Sequence, residues 1–268
     1  MTVIRNPAVA GLFYPGDSGE LRASVQTLLD QVGAQPGPAP KALIAPHAGY
    51  VYSGPVAASA YARLRPCHER YTRVILLGPC HRVATSGLAL SGADVFRTPL
   101  GDVPLDKGAI ATLAPYKVRE FEPAHQFEHC LEVHLPFLQI VLGTFTLVPL
   151  VIGDAAPATV AAVLNSLWGG EETLVVVSSD LTHYLAYAQA CARDRRTCEA
   201  IERLQADRIE QGDACGATPV RGLLIEARRR GMQVTTLDLR NSGDTASGKD
   251  QVVGYGAWMF SEPAGGER

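Results

Sequence analysis

Two histidines in this chain follow directly on short apolar runs suited to buried strands. In Lys41-Ala42-Leu43-Ile44-Ala45-Pro46-His47 and Arg73-Val74-Ile75-Leu76-Leu77-Gly78-Pro79-Cys80-His81 the run stops at Pro or Gly-Pro and an imidazole follows. If the two strands run parallel, both rings emerge at the carboxyl edge of one sheet, where open α/β folds keep their ligands. Two further runs end in polar groups: Thr173 to Ser179 leads into Asp180-Leu181-Thr182-His183-Tyr184, and Val234 to Arg240 into Asn241-Ser242-Gly243-Asp244-Thr245. Four strand ends thus offer His47, His81, Asp180 with His183, and Asp244. Two imidazoles and a carboxylate with open positions is the set that oxygen-activating ferrous enzymes use. Each residue also has a plainer role: a loop-carbonyl partner for a histidine, a cap or Asx turn for Asp180, and a turn for Asp244.

A second cluster is Glu128-His129-Cys130-Leu131-Glu132-Val133-His134-Leu135-Pro136-Phe137. If a helix begins there, i, i+3 and i+4 spacing sets Glu128, His129 and Glu132 near one face, although the zinc signature H-E-x-x-H is absent. Glu128 or Glu132 could orient a ligating imidazole, as metal-bound histidines generally require. Ser178 or Ser179 with Asp180 and His183 suggests a hydrolase triad, but residues this close in sequence rarely reach the needed geometry and there is no G-x-S-x-G elbow. Cys80 reads better as a buried thiol than as a nucleophile paired with His81, because adjacent side chains on an extended segment point apart. The loops around Ser53-Gly54 and Asn241-Ser242-Gly243 match no phosphate-binding fingerprint.

These groups need a framework, and the chain is long enough to supply one. Its 268 residues, 47% hydrophobic and 19% charged, indicate a core leaning apolar, as chains with a buried parallel sheet do. Asp17-Ser18-Gly19-Glu20 reads as a capping box ahead of a helical stripe at Leu21, Val25, Leu28, Leu29 and Val32 that ends at Gly33. Strands are expected at 73–78, 144–152, 173–179, 233–240 and 252–260. Helices are expected from Pro55 to Leu64, near 106–115, from Cys130 to Leu142, and over 157–168, 186–211 and 218–230. Such alternation predicts one α/β domain over 1–268, with a mostly parallel or mixed central sheet covered by helices on both faces and flexible ends at 1–4 and 262–268.

The net charge of −3 gives no broad basic surface, and Arg228-Arg229-Arg230 before Gly231 reads as a helix C-terminus, so nucleic-acid binding is not expected. The six cysteines form no C-x-x-C pair, which suggests reduced thiols in a cytoplasm. No signal-peptide core or membrane-spanning run is present, so a cytoplasmic protein with no membrane association is expected.

Six ordered motifs carry a family resemblance: Val9-Ala10-Gly11-Leu12-Phe13-Tyr14-Pro15, Pro46-His47-Ala48-Gly49-Tyr50-Val51-Tyr52-Ser53-Gly54, Leu77-Gly78-Pro79-Cys80-His81, the cluster Glu128 to Phe137, Ser178 to Tyr184, and Val252-Val253-Gly254-Tyr255. Over nearly its whole length the chain resembles the Memo family, known in prokaryotes as AmmeMemoRadiSam system protein B. The resemblance implies a fold similar to class III extradiol ring-cleaving dioxygenases and a pocket for iron or copper at His47 and His81, with Asp180 and His183 as further pocket residues. Animal members complete their site with a cysteine in the loop before the last strand, and this chain has none there. Counting back from Tyr255 puts Thr245 at that position and Asp244 one residue earlier. If Asp244 takes over, two histidines and a carboxylate bring the site closer to the ring-cleaving enzymes.

The function expected on these grounds is a non-haem redox protein holding Fe(II), or else Cu or Zn, through His47, His81 and Asp244. Its partners would be dioxygen and a small organic substrate. His183 and Asp180 would be catalytic, with Glu132, His129, Tyr50, Tyr52 and Thr245 as supports or pocket walls. The rival readings are a non-enzymatic metal-binding or adaptor protein and a zinc-dependent hydrolase. The resemblance also implies a functional link to a radical SAM protein and an AMMECR-type protein.

Overall fold

The structure, a computed structural model, describes residues 2–33, 35–246 and 248–263. Its first half runs β1 (Ile4–Arg5), α1 (Ser18–Val32), β2 (Ala42–Ala45), α2 (Tyr50–Tyr61), β3 (Arg73–Pro79), β4 (Leu88–Leu90), β5 (Val95–Thr98), β6 (Gly101–Pro104), α3 (Lys107–Ala111), β7 (Arg119–Glu120) and α4 (Pro123–Gln126). The second half runs α5 (Leu135–Leu142), β8 (Thr146–Ile152), α6 (Pro157–Leu167), β9 (Thr173–Ser178), β10 (His183–Leu185), α7 (Tyr187–Glu202), α8 (Ala217–Arg229), β11 (Gln233–Asn241), α9 (Ser242–Thr245) and β12 (Val252–Ser261).

The main sheet has the order β10-β12-β2-β9-β3-β8-β4-β7, with β11 also paired to β12. Its centre, β2-β9-β3-β8, is parallel, while β12 and β4 run antiparallel to their inner neighbours. β1, β5 and β6 form a separate small sheet. Side chains of the central strands alternate between two cores. Leu43, Val74, Leu76 and Val176 face a cluster built on α1, α2 and α5, whereas Ile44, Ile75, Leu77 and Val177 face one built on α6, α7 and α8. The fold is therefore a single α/β domain with a mixed sheet between two helical layers.

Several expected boundaries shift for local reasons. The segment before α5 is a chain of turns rather than a helix, because the Glu128 carboxylate takes the backbone N–H groups of His129 and Cys130 at 2.9 and 3.1 Å. α2 starts at Tyr50, ahead of Pro55, with Gly49 O accepting from both Tyr52 N and Ser53 N. α7 stops at Glu202 and not near 211, because Leu204 adopts φ 54° and Gln205 N donates back to Ala200 O. That is a C-terminal cap made without glycine, so the sequence carries no stop signal there. Near 106–115 only α3 and a single 3-10 turn form. At the N-terminus, expected to be flexible, Val3 N donates to Asp94 and Ile4 pairs with Val95. Of the other expected flexible positions, Met1 and residues 264–268 lie outside the described residues.

Candidate metal centre

β2, β9 and β3 end at one level: Ala45 is in register with Ser178, and Leu77 with Val177. β9 separates the two histidine-bearing strands, so their ends lie about 9.5 Å apart at normal strand spacing. Both loops bend over the end of β9, and the His47 and His81 rings come within 5.1 Å, centroid to centroid. From the opposite side the turn before α8 brings in Cys215, whose Sγ lies 3.3 Å from His47 Nε2. The candidate ligand atoms of His47, His81 and Cys215 all lie within 4.8 Å of one another. Close approach here depends on glycine. A Cβ at Gly216 would stand 2.7 Å from Ser178 O, and one at Gly78 would stand 2.5 Å from Cys130 Sγ.

The rings are held by hydrogen bonds on the nitrogens that do not face the centre. His81 is gripped by Glu128, which accepts its backbone N–H at 2.7 Å and faces its Nδ1 at 2.9 Å, leaving Nε2 bare. Burial works to raise the Glu128 carboxyl, but the hydrogen bonds and charge of His81 bring it down to about 2, so it stays ionised. His47 donates its backbone N–H to Asp180 Oδ1 at 2.8 Å, and its Nδ1 meets Ser178 Oγ at 2.6 Å. Burial, followed by the neighbouring imidazoles of His81, His129, His134 and His183, drives the His47 ring far toward the neutral form. Burial also holds Cys215 as a thiol, with the Asp180 charge adding to the effect. A Cys-His nucleophile would need an imidazolium beside its thiolate, and this pocket opposes both ions. A cation would reverse that balance, because coordination deprotonates a thiol and requires neutral imidazole. Two bare imidazole nitrogens and one sulfur therefore fit a borderline or soft metal ion. A cavity of about 370 Å³ lies beside the centre, with Cys80, Thr85, Cys215 and Thr218 in its lining.

The model of the Memo-like protein family matches residues 5–259 of this chain. The chain belongs to that family. Relatives named MEMO1 family protein include those of Sulfolobus acidocaldarius, 34% identical across 97% of this chain and 100% of the relative, and Aeropyrum pernix, 35% identical across 95% and 98%. That of Aquifex aeolicus is 33% identical across 96% and 99%. Among solved structures, an uncharacterized protein from Escherichia coli K12 shares the fold with a TM-score of 0.52 and 13% identity, covering 81% of this chain and 98% of that one.

In this Memo-like protein the expected residues separate into two sets. His47 and His81 meet at the centre, with His129 beside them: its ring stacks on His81 at 4.8 Å and lies 4.9 Å from Phe13, and its Nδ1 is buried without a hydrogen-bond partner. Asp180 lies under His47, with Oδ2 4.0 Å from Nε2, and burial raises its carboxyl pKa. His183 bonds Leu181 O through Nδ1 at 2.9 Å and acts electrostatically on both Asp180 and His47. Its neighbour Tyr184 is exposed and held at φ 58°, an unusual backbone for a bulky residue.

The other expected residues are engaged elsewhere. Asp244 shares no ligand group with the histidines; it closes a capping box on Asn241 and accepts from Tyr187 Oη at 2.7 Å. Thr245 donates to Ser242 O within the same short helix. Glu132 holds the N-terminal segment, accepting from Arg5, from Ala8 N at 2.7 Å, from Val9 N at 3.0 Å and from Tyr14 Oη at 2.6 Å. Tyr50 turns into the core and donates to Val133 O at 2.7 Å, whereas Tyr52 is 40% exposed on the first turn of α2. No motif marks Cys215. Its one sequence signal is its place just before an expected helix start, in a Cys-Gly pair that admits close backbone packing.

Proposed function

We propose that this Memo-like protein is a non-haem metalloprotein that carries out redox chemistry on a small organic molecule, with dioxygen as co-substrate. Its iron or copper would be held by His47 Nε2, His81 Nε2 and Cys215 Sγ. The carrying observation is that these three residues converge within 4.8 Å while both histidines have Nδ1 engaged away from the centre. When bound, the metal would supply Lewis acidity and one-electron chemistry. A sulfur donor in place of a carboxylate favours softer metals, so copper and zinc compete with iron more closely than they would at a two-histidine, one-carboxylate site. Around the centre the chain's own groups have separate tasks. Asp180 fixes the His47 backbone, Glu128 fixes His81, and His183, its Nδ1 bonded to Leu181 O, keeps Nε2 available for proton exchange with a substrate. The cavity beside Cys215 gives a small molecule a way in.

The test is metal analysis after anaerobic purification of the wild type and of His47→Ala, His81→Ala, Cys215→Ala and Asp244→Ala. Iron or copper in the wild type, lost from the first three variants and kept by the fourth, together with oxygen uptake in the presence of an oxidisable organic compound, supports the reading. Full zinc occupancy with no oxygen uptake would replace it with hydrolysis or with metal binding alone.

A further inference from the structure

Behind the candidate centre lies a buried chain of four polar side chains, Tyr61, His134, Ser178 and His47, all at most 2% exposed. Tyr61 Oη meets His134 Nδ1 at 2.7 Å, and His134 Nε2 meets Ser178 Oγ at 2.8 Å. Ser178 Oγ in turn meets His47 Nδ1 at 2.6 Å and donates to Cys130 O at 2.6 Å.

The protons in this chain can be placed by counting donors. A serine hydroxyl has one proton and two lone pairs, and a backbone carbonyl can only accept. Cys130 O therefore takes the Ser178 proton, and both imidazole nitrogens facing Ser178 must be N–H donors. His134 then presents a bare Nδ1, which accepts from the Tyr61 hydroxyl. Both rings are buried, and the Asp180 carboxylate stands 4.0 Å from His47 Nε2, beyond hydrogen-bond distance, so burial favours the neutral form of each ring. The one arrangement that satisfies every group leaves His47 with hydrogen on Nδ1 and a free lone pair on Nε2, the nitrogen beside Cys215.

We infer that Ser178, backed by His134 and Tyr61, is a positioning residue that fixes the His47 tautomer and so presents Nε2 to a metal before any metal arrives. The inference deepens the proposed function, because the value of the tautomer lies in metal capture, but the tautomer itself is a property of the metal-free chain. Most metal-bound histidines have their second nitrogen on a carboxylate or a backbone carbonyl. Here a hydroxyl serves, and its acceptor role is enforced by Cys130 O. Without Ser178 both inward N–H groups lose their acceptor, and His47 is free to move its proton to Nε2, where it blocks the metal.

Two measurements separate this inference from the metal reading. Long-range proton–nitrogen NMR on the metal-free protein reads the tautomers directly: His47 with its proton on Nδ1 and His134 with its proton on Nε2 are expected, and His47 carrying its proton on Nε2 would overturn the inference whether or not the wild type takes up metal. Zinc affinity, measured against a competing chelator, is expected to fall roughly 10- to 100-fold in Ser178→Ala, with the NMR showing mixed His47 tautomers and the fold retained by circular dichroism. Tyr61→Phe touches neither His47 nor the metal; because Cys130 O still takes the Ser178 proton, it should leave His134 protonated on Nε2 and weaken zinc less than Ser178→Ala does. Zinc affinity unchanged within twofold in Ser178→Ala, with His47 still protonated on Nδ1, counts against the lock. A wild type that binds no zinc, iron or copper while showing the expected tautomers would sink the metal reading and leave the proton arrangement standing.

Discussion

Glu128 grips His81 at two points, taking its backbone N–H on one carboxylate oxygen at 2.7 Å and its Nδ1 on the other at 2.9 Å. The same carboxylate also accepts from His129 N and Cys130 N, so one side chain sets both the ring orientation and the turn that carries the ring's neighbour. Glu128→Gln replaces an ionised acceptor with an amide that has one oxygen. Metal affinity should fall about 10- to 100-fold, the usual cost of removing the group that orients a metal-bound histidine, as read by competition with a chelator. Affinity equal to the wild type would show that His81 needs no such support.

Asp244 sits in a capping box, outside the group formed by His47, His81 and Cys215. Asp244→Ala should retain metal and lose the cap and the Tyr187 hydrogen bond, together about 1–2 kcal/mol, seen as a fall of roughly 2–8 °C in melting temperature for a chain of this size. Metal loss in this variant would return the carboxylate to the coordination sphere.

Arg5 and Glu132 form a buried ion pair that ties the N-terminus to the turn before α5. Arg5 also donates to His125 O and Glu128 O, and Glu132 holds two backbone N–H groups and the Tyr14 hydroxyl. Removing one partner leaves a buried charge without compensation, so Arg5→Ala should cost about 3–5 kcal/mol in urea unfolding. A loss under 1 kcal/mol would mean that water replaces the arginine.

His125 is buried, and that burial holds its pKa down to about 4. The unfolded chain takes up the proton near pH 6.5 and the folded chain near pH 4, so the unfolded state binds more protons between these values. Stability is therefore full above pH 6.5 and declines as the pH falls toward 4, by up to about 3 kcal/mol from this one residue. His125→Gln keeps an N–H for Ala89 O, which accepts from His125 Nε2 at 3.0 Å, and should flatten the melting-temperature slope between pH 6 and 4. An unchanged slope would assign the acid sensitivity to other groups.

Much of the scaffold was legible from local pattern. The runs ending at His47 and His81 became parallel strands because unbroken apolar residues suit a strand covered on both faces, and Pro or Gly-Pro marked where each stopped. Short outlying strands such as β4, β7 and β10 were not, since two or three residues carry no period. Cys215 lies 168 residues from His47 along the chain, and nothing in the intervening sequence records that the end of β9 brings them together. Glu128 and Glu132 were indistinguishable as helix neighbours. Only the turn between them, with one carboxylate facing His81 and the other facing Arg5, assigns each its task.

His47 and His81 lie on the loops that follow β2 and β3, and Cys215 lies on the turn that precedes α8. An ion bridging all three would act as a cross-link over the open rim of the domain. Loading should slow proteolysis of the 210–216 turn before it raises resistance anywhere else, since any ligand confined to the folded state stabilises first what it directly ties.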